Sequence, residues 1–210
     1  MKKGTIPILV GLIFIFVGLC FVGYNWWDGA RAGVASDAAL EKLMPQLEGE
    51  PTPVPDDISD IGGTNYPDYI LNPMMEMPET VVDGVAYIGI LDLPTIEKTL
   101  PVISRWSYPN MKIAPCRYYG SAYLHNLVIS GHDYVQHFGR LGSLSIGDEV
   151  TFTDVKNNVF KYEVTEVEIL DGDAVEQMTT GDDWDMTLFT CTIGGRSRIT
   201  VRCRLIGNKH

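Results

Sequence analysis

The stretch Met186-Thr-Leu-Phe-Thr-Cys191-Thr-Ile-Gly-Gly195 and the run after it, Arg196-Ser-Arg-Ile-Thr-Val-Arg-Cys-Arg-Leu-Ile206, decide how the second half of the chain is read. β-Branched and aromatic residues fill both runs and two glycines interrupt them, so the pattern predicts strands over Met186–Thr190 and Arg198–Ile206 with a loop between. Working outward, similar runs occur at Ala86–Leu93, Thr99–Ser104, Leu124–Ser130, Glu149–Asp154 and Val159–Leu170. Asp154-Val-Lys-Asn-Asn158 is a hairpin turn signal between the last two. Val135–Leu144 predicts one short helix, weakened by Gly139 and Gly142. Many closely spaced strands with one helical interruption indicate an all-β barrel or sandwich.

The first 80 residues differ in kind. Gly4 to Trp27 are 24 residues without a charge, and about 20 apolar helical residues cross a bilayer core of ~30 Å. Lys2 and Lys3 orient such a helix with its start in the cytoplasm, and Tyr24, Trp26 and Trp27 form an interfacial aromatic belt at the far end. The rest of the chain is then extracytoplasmic, on a single-pass anchor in the cell membrane. Ala30-Arg-Ala32 resembles a signal-peptide cleavage site, but the apolar run exceeds the ~7–15 residues of a signal peptide's core. Apolar residues at Ala38, Ala39, Leu40, Leu43, Met44 and Leu47 predict a separate short amphipathic helix starting near Ser36. Residues 48–80 carry six prolines and eight acidic residues with no Lys or Arg, the composition of a stiffened acidic linker. The chain thus divides into 1–27, an anchor; 28–80, a short helix and linker; and 81–210, the β domain.

Composition excludes several classes of function. Lys+Arg 16 against Asp+Glu 27 gives a net charge of −11, which argues against a nucleic-acid partner, since phosphate binding needs clustered cations. The four cysteines, at 20, 116, 191 and 203, form no CxxC pair, which removes both a disulfide scaffold and a cysteine-spaced zinc site. Asp171, Asp173 and Glu176 lack the rest of an EF-hand loop. No metal or cofactor is implied, and Cys116 and Cys203 are read as reduced.

Cys191 ends a β-type run, where a rigid element holds a thiol facing an opening, as a nucleophile requires. His132 likewise ends the apolar run Asn126-Leu-Val-Ile-Ser-Gly-His132 and offers the acid–base partner that a thiol needs. The rival histidines are His125, His137 and the terminal His210; the first two read as polar surface positions. Arg196, Arg198, Arg202 and Arg204 share one strand face if that strand is regular from residue 196, and one near the thiol can hold a developing oxyanion. The residues themselves leave Arg196 and Arg198 open. Asp133, next to the histidine, is a carboxylate that can raise the imidazole pKa, although in a flat strand it would point to the opposite face.

Thr187-Leu-Phe-Thr-Cys191 matches the TLxTC signature of sortases, the thiol transpeptidases of Gram-positive cell surfaces, and Gly131-His132 after an apolar strand resembles their catalytic histidine. The order His, Cys, then Arg before a strand (Arg198-Ile-Thr-Val201) is similar too, as are Ile88-Gly-Ile-Leu-Asp-Leu-Pro94, Leu100-Pro-Val-Ile103 and Gly147-Asp-Glu-Val150. The resemblance covers roughly residues 83–206. It implies an eight-stranded β-barrel with one or two short helices, and catalysis by His132, Cys191 and Arg198. It also implies a substrate of LPxTG-like sorting signals on surface proteins, and an acceptor amine from a peptidoglycan precursor or a pilin Lys. Thr190, one residue before the nucleophile, would support the substrate pocket. The family pattern favours Arg198 over Arg196.

Two other classes compete. Papain-like peptidases place Cys before His, and L,D-transpeptidases carry Ser-His-Gly-Cys before an Arg; neither pattern occurs here. A non-catalytic anchored binding domain is the third. Within the linker, Tyr66, Tyr69, Ile70, Leu71, Met74, Met75 and Met77 exceed what a spacer needs, so the segment is expected to lie on the barrel with its carboxylates near the basic last strand. Some sortases carry an N-terminal lid, and Asn72-Pro-Met74 faintly resembles its motif.

Overall fold

Buried side chains alternate with more exposed ones along Glu149–Asp154 and the first half of Asn158–Asp171, while residues 87–91, 127–130 and 186–190 are buried throughout, and in the computed structural model these runs close on themselves. Residues 5–47, 49–50, 52–53, 67–181 and 183–206 are described. Ten strands form: β1 (Thr52–Pro53), β2 (Thr80–Val82), β3 (Val85–Leu93), β4 (Lys98–Ile103), β5 (Cys116–Tyr119), β6 (Leu127–Ser130), β7 (Glu149–Asp154), β8 (Asn158–Asp171), β9 (Met186–Cys191) and β10 (Ser197–Leu205). Strands β3 to β10 make the closed barrel, in the order β3-β4-β5-β6-β9-β10-β8-β7 and back to β3. The β4–β5 and β6–β9 contacts are parallel and the other barrel contacts antiparallel. Closure brings β3 between β4 and β7, and a Cβ at Gly89 would collide with the Thr153 carbonyl oxygen. Ile88, Leu91, Leu127, Ile129, Phe152, Phe160, Leu188 and Val201 fill the interior.

Strand limits match the sequence pattern where alternation is long: β7 coincides with the expected Glu149–Asp154. Where turns intervene it does not. The expected strand from Leu124 begins only at Leu127, because Ala122–Leu124 form a 3-10 turn that ends at His125 in the left-handed region (φ 54°). The helix expected over Val135–Leu144 is replaced by turns and a 3-10 turn at Leu141–Ser143. The His137 and Gly139 N–H groups both donate to the Tyr134 carbonyl, and a Cβ at Gly139 would lie 2.6 Å from the Asp133 carbonyl oxygen. The single-turn helices lie elsewhere: α2 (Asp68–Leu71), α3 (Tyr108–Met111) and α4 (Val175–Thr179).

The segment before the barrel is one helix, α1 (Thr5–Leu43), rather than a membrane span followed by a separate helix near Ser36. Nothing between Trp27 and Ser36 interrupts helical geometry, and Pro45 enters only in the 3-10 turn Met44–Gln46. Its apolar first half is exposed, while Asp28, Gly29, Ala32, Gly33, Ser36, Ala39 and Leu43 bury one stripe at three- and four-residue spacing. Among the described residues it is the one helix long and apolar enough to cross a membrane, with a hydropathy of 2.5 over its most apolar window.

Residues 48, 51 and 54–66 of the acidic linker, Tyr66 included, lie outside the described residues. The rest of the linker joins the domain. Tyr69 and Met77 are buried in the main core, with Ile70 and Met75 packed beside them, and Tyr69 stacks on Tyr123 at 4.5 Å. Asn72-Pro-Met74 is exposed. Of the linker's carboxylates Glu79 reaches Arg117 on β5 at 3.9 Å, not the last strand, and Arg202 and Arg204 of β10 pair with Glu168 and Asp183. We expect Tyr69→Ala to lower the unfolding free energy by about 3 kcal/mol, as loss of a buried aromatic ring does. An unfolding free energy within about 1 kcal/mol of the parent would show that the ring contributes little.

Candidate active site

Strand β9 runs between β6 and β10, so whatever ends it has a neighbour on each side. The parallel ladder with β6 pairs Leu127 with Met186 and Ser130 with Phe189, and the Gly131 N–H continues it by donating to the Phe189 carbonyl at 3.1 Å. His132 therefore leaves β6 level with Cys191. On the other side Arg198 is the direct register partner of Cys191. Side-chain parity agrees: Leu127, Ile129, Met186, Leu188, Val201 and Cys203 enter the core, which turns His132, Cys191 and Arg198 to the outer face. Three residues from distant sequence positions form one row across three strands.

Thr190 falls on the other face. It is 1% exposed, and its hydroxyl is buried without a hydrogen-bond partner beneath the strand that carries Cys191. Next to the row on the outer face, Phe189, Val128 and Met178 make a small apolar cluster flanked by Tyr118 and Leu170.

The loop after Cys191 is tied tightly. The Thr192 and Gly195 N–H groups donate to Ser197 and Thr192 carbonyls at 2.9 and 2.8 Å. Gly194 and Gly195 adopt φ of 91° and 72°, values that glycine alone takes without strain. Arg198 Nη1 donates to the Gly195 and Ser197 carbonyls at 2.9 and 3.1 Å, which leaves other guanidinium donors for a ligand.

Three of the four arginines share a face. Strand β10 begins at Ser197, which leaves Arg196 exposed in the loop, whereas Val201, Cys203 and Leu205 enter the core and so turn Arg198, Arg202 and Arg204 outward. Arg202, 1% exposed, donates to Glu168, Thr187 and the Met178 and Gln177 carbonyls, and its guanidinium lies 4.0 Å from the Trp184 ring. The first Thr of the quoted motif is thus held by Arg202. Pattern reading missed this, because a buried arginine looks like any other polar position in an alternating strand.

Burial is the largest influence on His132 and lowers its pKa below 6.5; Lys112 acts the same way, while Asp133 and Asp28 oppose it. The upward push expected from Asp133 exists but loses to desolvation. His137 is fully buried rather than a surface position. Neither ring nitrogen completes a hydrogen bond, although the Ala32 and Ile113 backbones oppose part of the shift, and burial drives its pKa down to about 4. Cys116 and Cys203 are buried free thiols in separate clusters, and burial pushes Cys116 up to about 12 and raises Cys203 as well. Such thiols are poor nucleophiles. No group of three or more metal-binding side chains occurs among the described residues.

His137 carries a stability prediction. In the unfolded chain it binds a proton near 6.5 and in the folded chain only near 4, so acid favours unfolding between those values. Stability is fully present above pH 6.5, and about 3 kcal/mol is lost as pH falls to 4. His137→Gln should flatten that slope in urea titrations; an unchanged slope would assign it to other groups.

A family model described as the sortase domain matches residues 91–206. The chain belongs to the sortase family. Sortases are cysteine transpeptidases, and that general activity comes with membership. Comparison with curated proteins returns no match. Among solved structures, a Clostridium perfringens sortase D5 transpeptidase is 19% identical at a TM-score of 0.55, covering 84% of this chain and 99% of that one. Sortase C1 from Streptococcus agalactiae is 22% identical at 0.52, covering 61% and 72%. Sortase C1 of GBS pilus island 1 is 20% identical at 0.51, covering 59% of this chain; this chain spans 66% of that one. These structures share the sortase barrel.

Proposed function

We propose that the protein is a membrane-anchored sortase in which Cys191 attacks the backbone carbonyl of an LPxTG-like sorting signal and joins the acyl part to an amine. The supporting observation is the row His132, Cys191, Arg198 across β6, β9 and β10. With its pKa lowered, His132 is neutral at neutral pH and takes the thiol proton as the sulfur–carbon bond forms. It returns that proton to the departing amine as the carbon–nitrogen bond breaks, leaving a thioacyl-enzyme. The incoming amine reverses the proton path and releases Cys191. Arg198 lies beside the nucleophile, where spare guanidinium donors stabilise the tetrahedral oxyanion. Thr190 supports the pocket from beneath. The apolar cluster of Phe189, Val128 and Met178 offers a floor for the peptide's apolar residue.

The apolar half of α1 anchors the enzyme as a single pass with the barrel outside the cell. Its partners are surface proteins bearing a C-terminal sorting signal and an acceptor amine of a peptidoglycan precursor or a pilin Lys. Residues 81–210 act as the catalytic unit, and the linker before them as a candidate lid.

The test incubates the chain with a Leu-Pro-Xaa-Thr-Gly peptide library and triglycine and weighs the products. Transfer to triglycine together with a thioacyl adduct on Cys191 is expected; hydrolysis alone would make the protein a peptidase. Acid limits this chemistry by protonating His132 first, so kcat/KM should fall along an acid limb centred below pH 6.5. A limb at or above 6.5 would contradict a neutral His132.

A further inference from the structure

We propose that Asp28 and Tyr134 are positioning residues for His132, and that α1 thereby reaches beyond anchoring into the active site. The proposal rests on His132 being the proton carrier of the reaction above.

The Tyr134 hydroxyl donates to Asp28 Oδ2 at 2.5 Å, and Arg31 Nη2 donates to the other carboxylate oxygen at 3.0 Å. Asp28 is 8% exposed, although it directly follows the apolar run. Burying a carboxylate is costly unless it is paired, and here Tyr134 and Arg31 pair both oxygens, which a helix that merely docks has no need to arrange. The Tyr134 ring lies 4.8 Å from the His132 ring and 5.7 Å from the His137 ring. His132 Nε2 is buried without a hydrogen-bond partner, so packing against Tyr134 helps set the orientation of the imidazole.

The loop is a closed unit. The Phe138 N–H donates to the His132 carbonyl at 3.1 Å, and the His137 and Gly139 N–H groups to the Tyr134 carbonyl at 2.9 Å. Close approach of α1 is tightest at Gly33 and close also at Gly29. A Cβ at Gly33 would lie 2.6 Å from Gln136 Cγ, and one at Gly29 would lie 3.1 Å from Gln136 Oε1. Tyr134 itself is not the acid. Burial and its bond to Asp28 raise its pKa, while the same bond lowers that of Asp28, so the donor and acceptor states persist through the working pH range.

The test uses the full chain in liposomes with the same peptides and triglycine. Tyr134→Phe keeps the ring and loses the hydroxyl, and it should lower kcat on the order of ten-fold with KM unchanged, the effect of a misplaced catalytic group. Asp28→Ala should do the same, and adding it to Tyr134→Phe should bring no further loss. Asp28→Asn keeps an acceptor oxygen and should recover most of kcat. It should still move the acid limb to lower pH, because of the groups facing His132 only Asp133 and Asp28 oppose the lowering by burial and Lys112, with neutral His137 beyond Tyr134. Lys42→Ala breaks a pair with Asp83 at the far end of the same helix and should leave kcat within about two-fold. Additive losses, an equal loss in Lys42→Ala, or losses that follow melting temperature would overturn the proposal. If no peptide is transferred by the parent chain, the function is wrong, and iodoacetamide alkylation of Cys191, followed on its own peptide across pH, still decides the positioning. Tyr134→Phe and Asp28→Ala should shift that profile; profiles identical to the parent would overturn it.

Discussion

Cys191→Ala is expected to abolish peptide transfer, a loss of at least about 10⁴-fold, while the barrel unfolds with nearly its original stability. The two halves follow from one position. Cys191 ends β9 on the outer face and is partly exposed, so its sulfur fills no core volume and its removal should cost about 1 kcal/mol or less. Cys116 and Cys203 cannot substitute, being buried among apolar side chains with pKa values pushed upward. His132→Ala should lower kcat by about 10²- to 10⁴-fold, the range for loss of a positioned acid–base group. His125→Ala should stay within a few-fold, since His125 ends the 3-10 turn that precedes the opposite end of β6. His137→Ala should reduce stability more than kcat, because the ring is fully buried. A thioester-dependent product from Cys191→Ala, or equal activity in the three histidine variants, would remove these residues from the chemistry.

The contrast among the histidines shows what a sequence can and cannot disclose. The placement of Cys191 at the end of β9 and of His132 just past β6 was legible because each ends a run of β-type residues, and a strand end is a local property. The barrel was legible for the same reason: β7, β8 and β10 alternate over six residues or more. Strand β5 was not, since Cys116-Arg-Tyr-Tyr119 is too short for alternation to stand out and earns its place only by pairing with β4 and β6. His137 looked like a surface residue because its burial comes from the packing of distant elements. The bond between Asp28 and Tyr134 spans 106 positions and has no local pattern at all. Continuity of α1 was hidden differently: the composition changes at Asp28, which suggests a break, yet Gly29 and Gly33 only weaken a helix there and no proline breaks it. The residues alone left Arg196 and Arg198 open and only the family pattern favoured Arg198; where β10 begins, and so that Arg198 pairs with Cys191, has no local pattern.

That start at Ser197 sets up the second large effect. Arg198→Ala should lower kcat/KM about 10²- to 10³-fold, the size seen when one donor to a developing oxyanion is removed. Arg196→Ala should be mild. Arg196 is exposed, and what it contributes is a backbone carbonyl that accepts from the Gly172 N–H at 2.9 Å, which alanine retains. Arg198→Lys separates two roles. The guanidinium already spends Nη1 on the Gly195 and Ser197 carbonyls, so one side chain both holds the loop after the nucleophile and presents further donors. An ammonium is a point charge without the planar fork and cannot do both in the same geometry. Lysine should therefore recover part of the loss at most. If Arg198 acts on the transition state, kcat and kcat/KM should fall together with KM unchanged; a rise in KM alone would reduce it to a tether for the loop. Inactivity of Arg196→Ala beside an active Arg198→Ala would exchange the two assignments, and would mean that register pairing with Cys191 is not what selects the oxyanion donor.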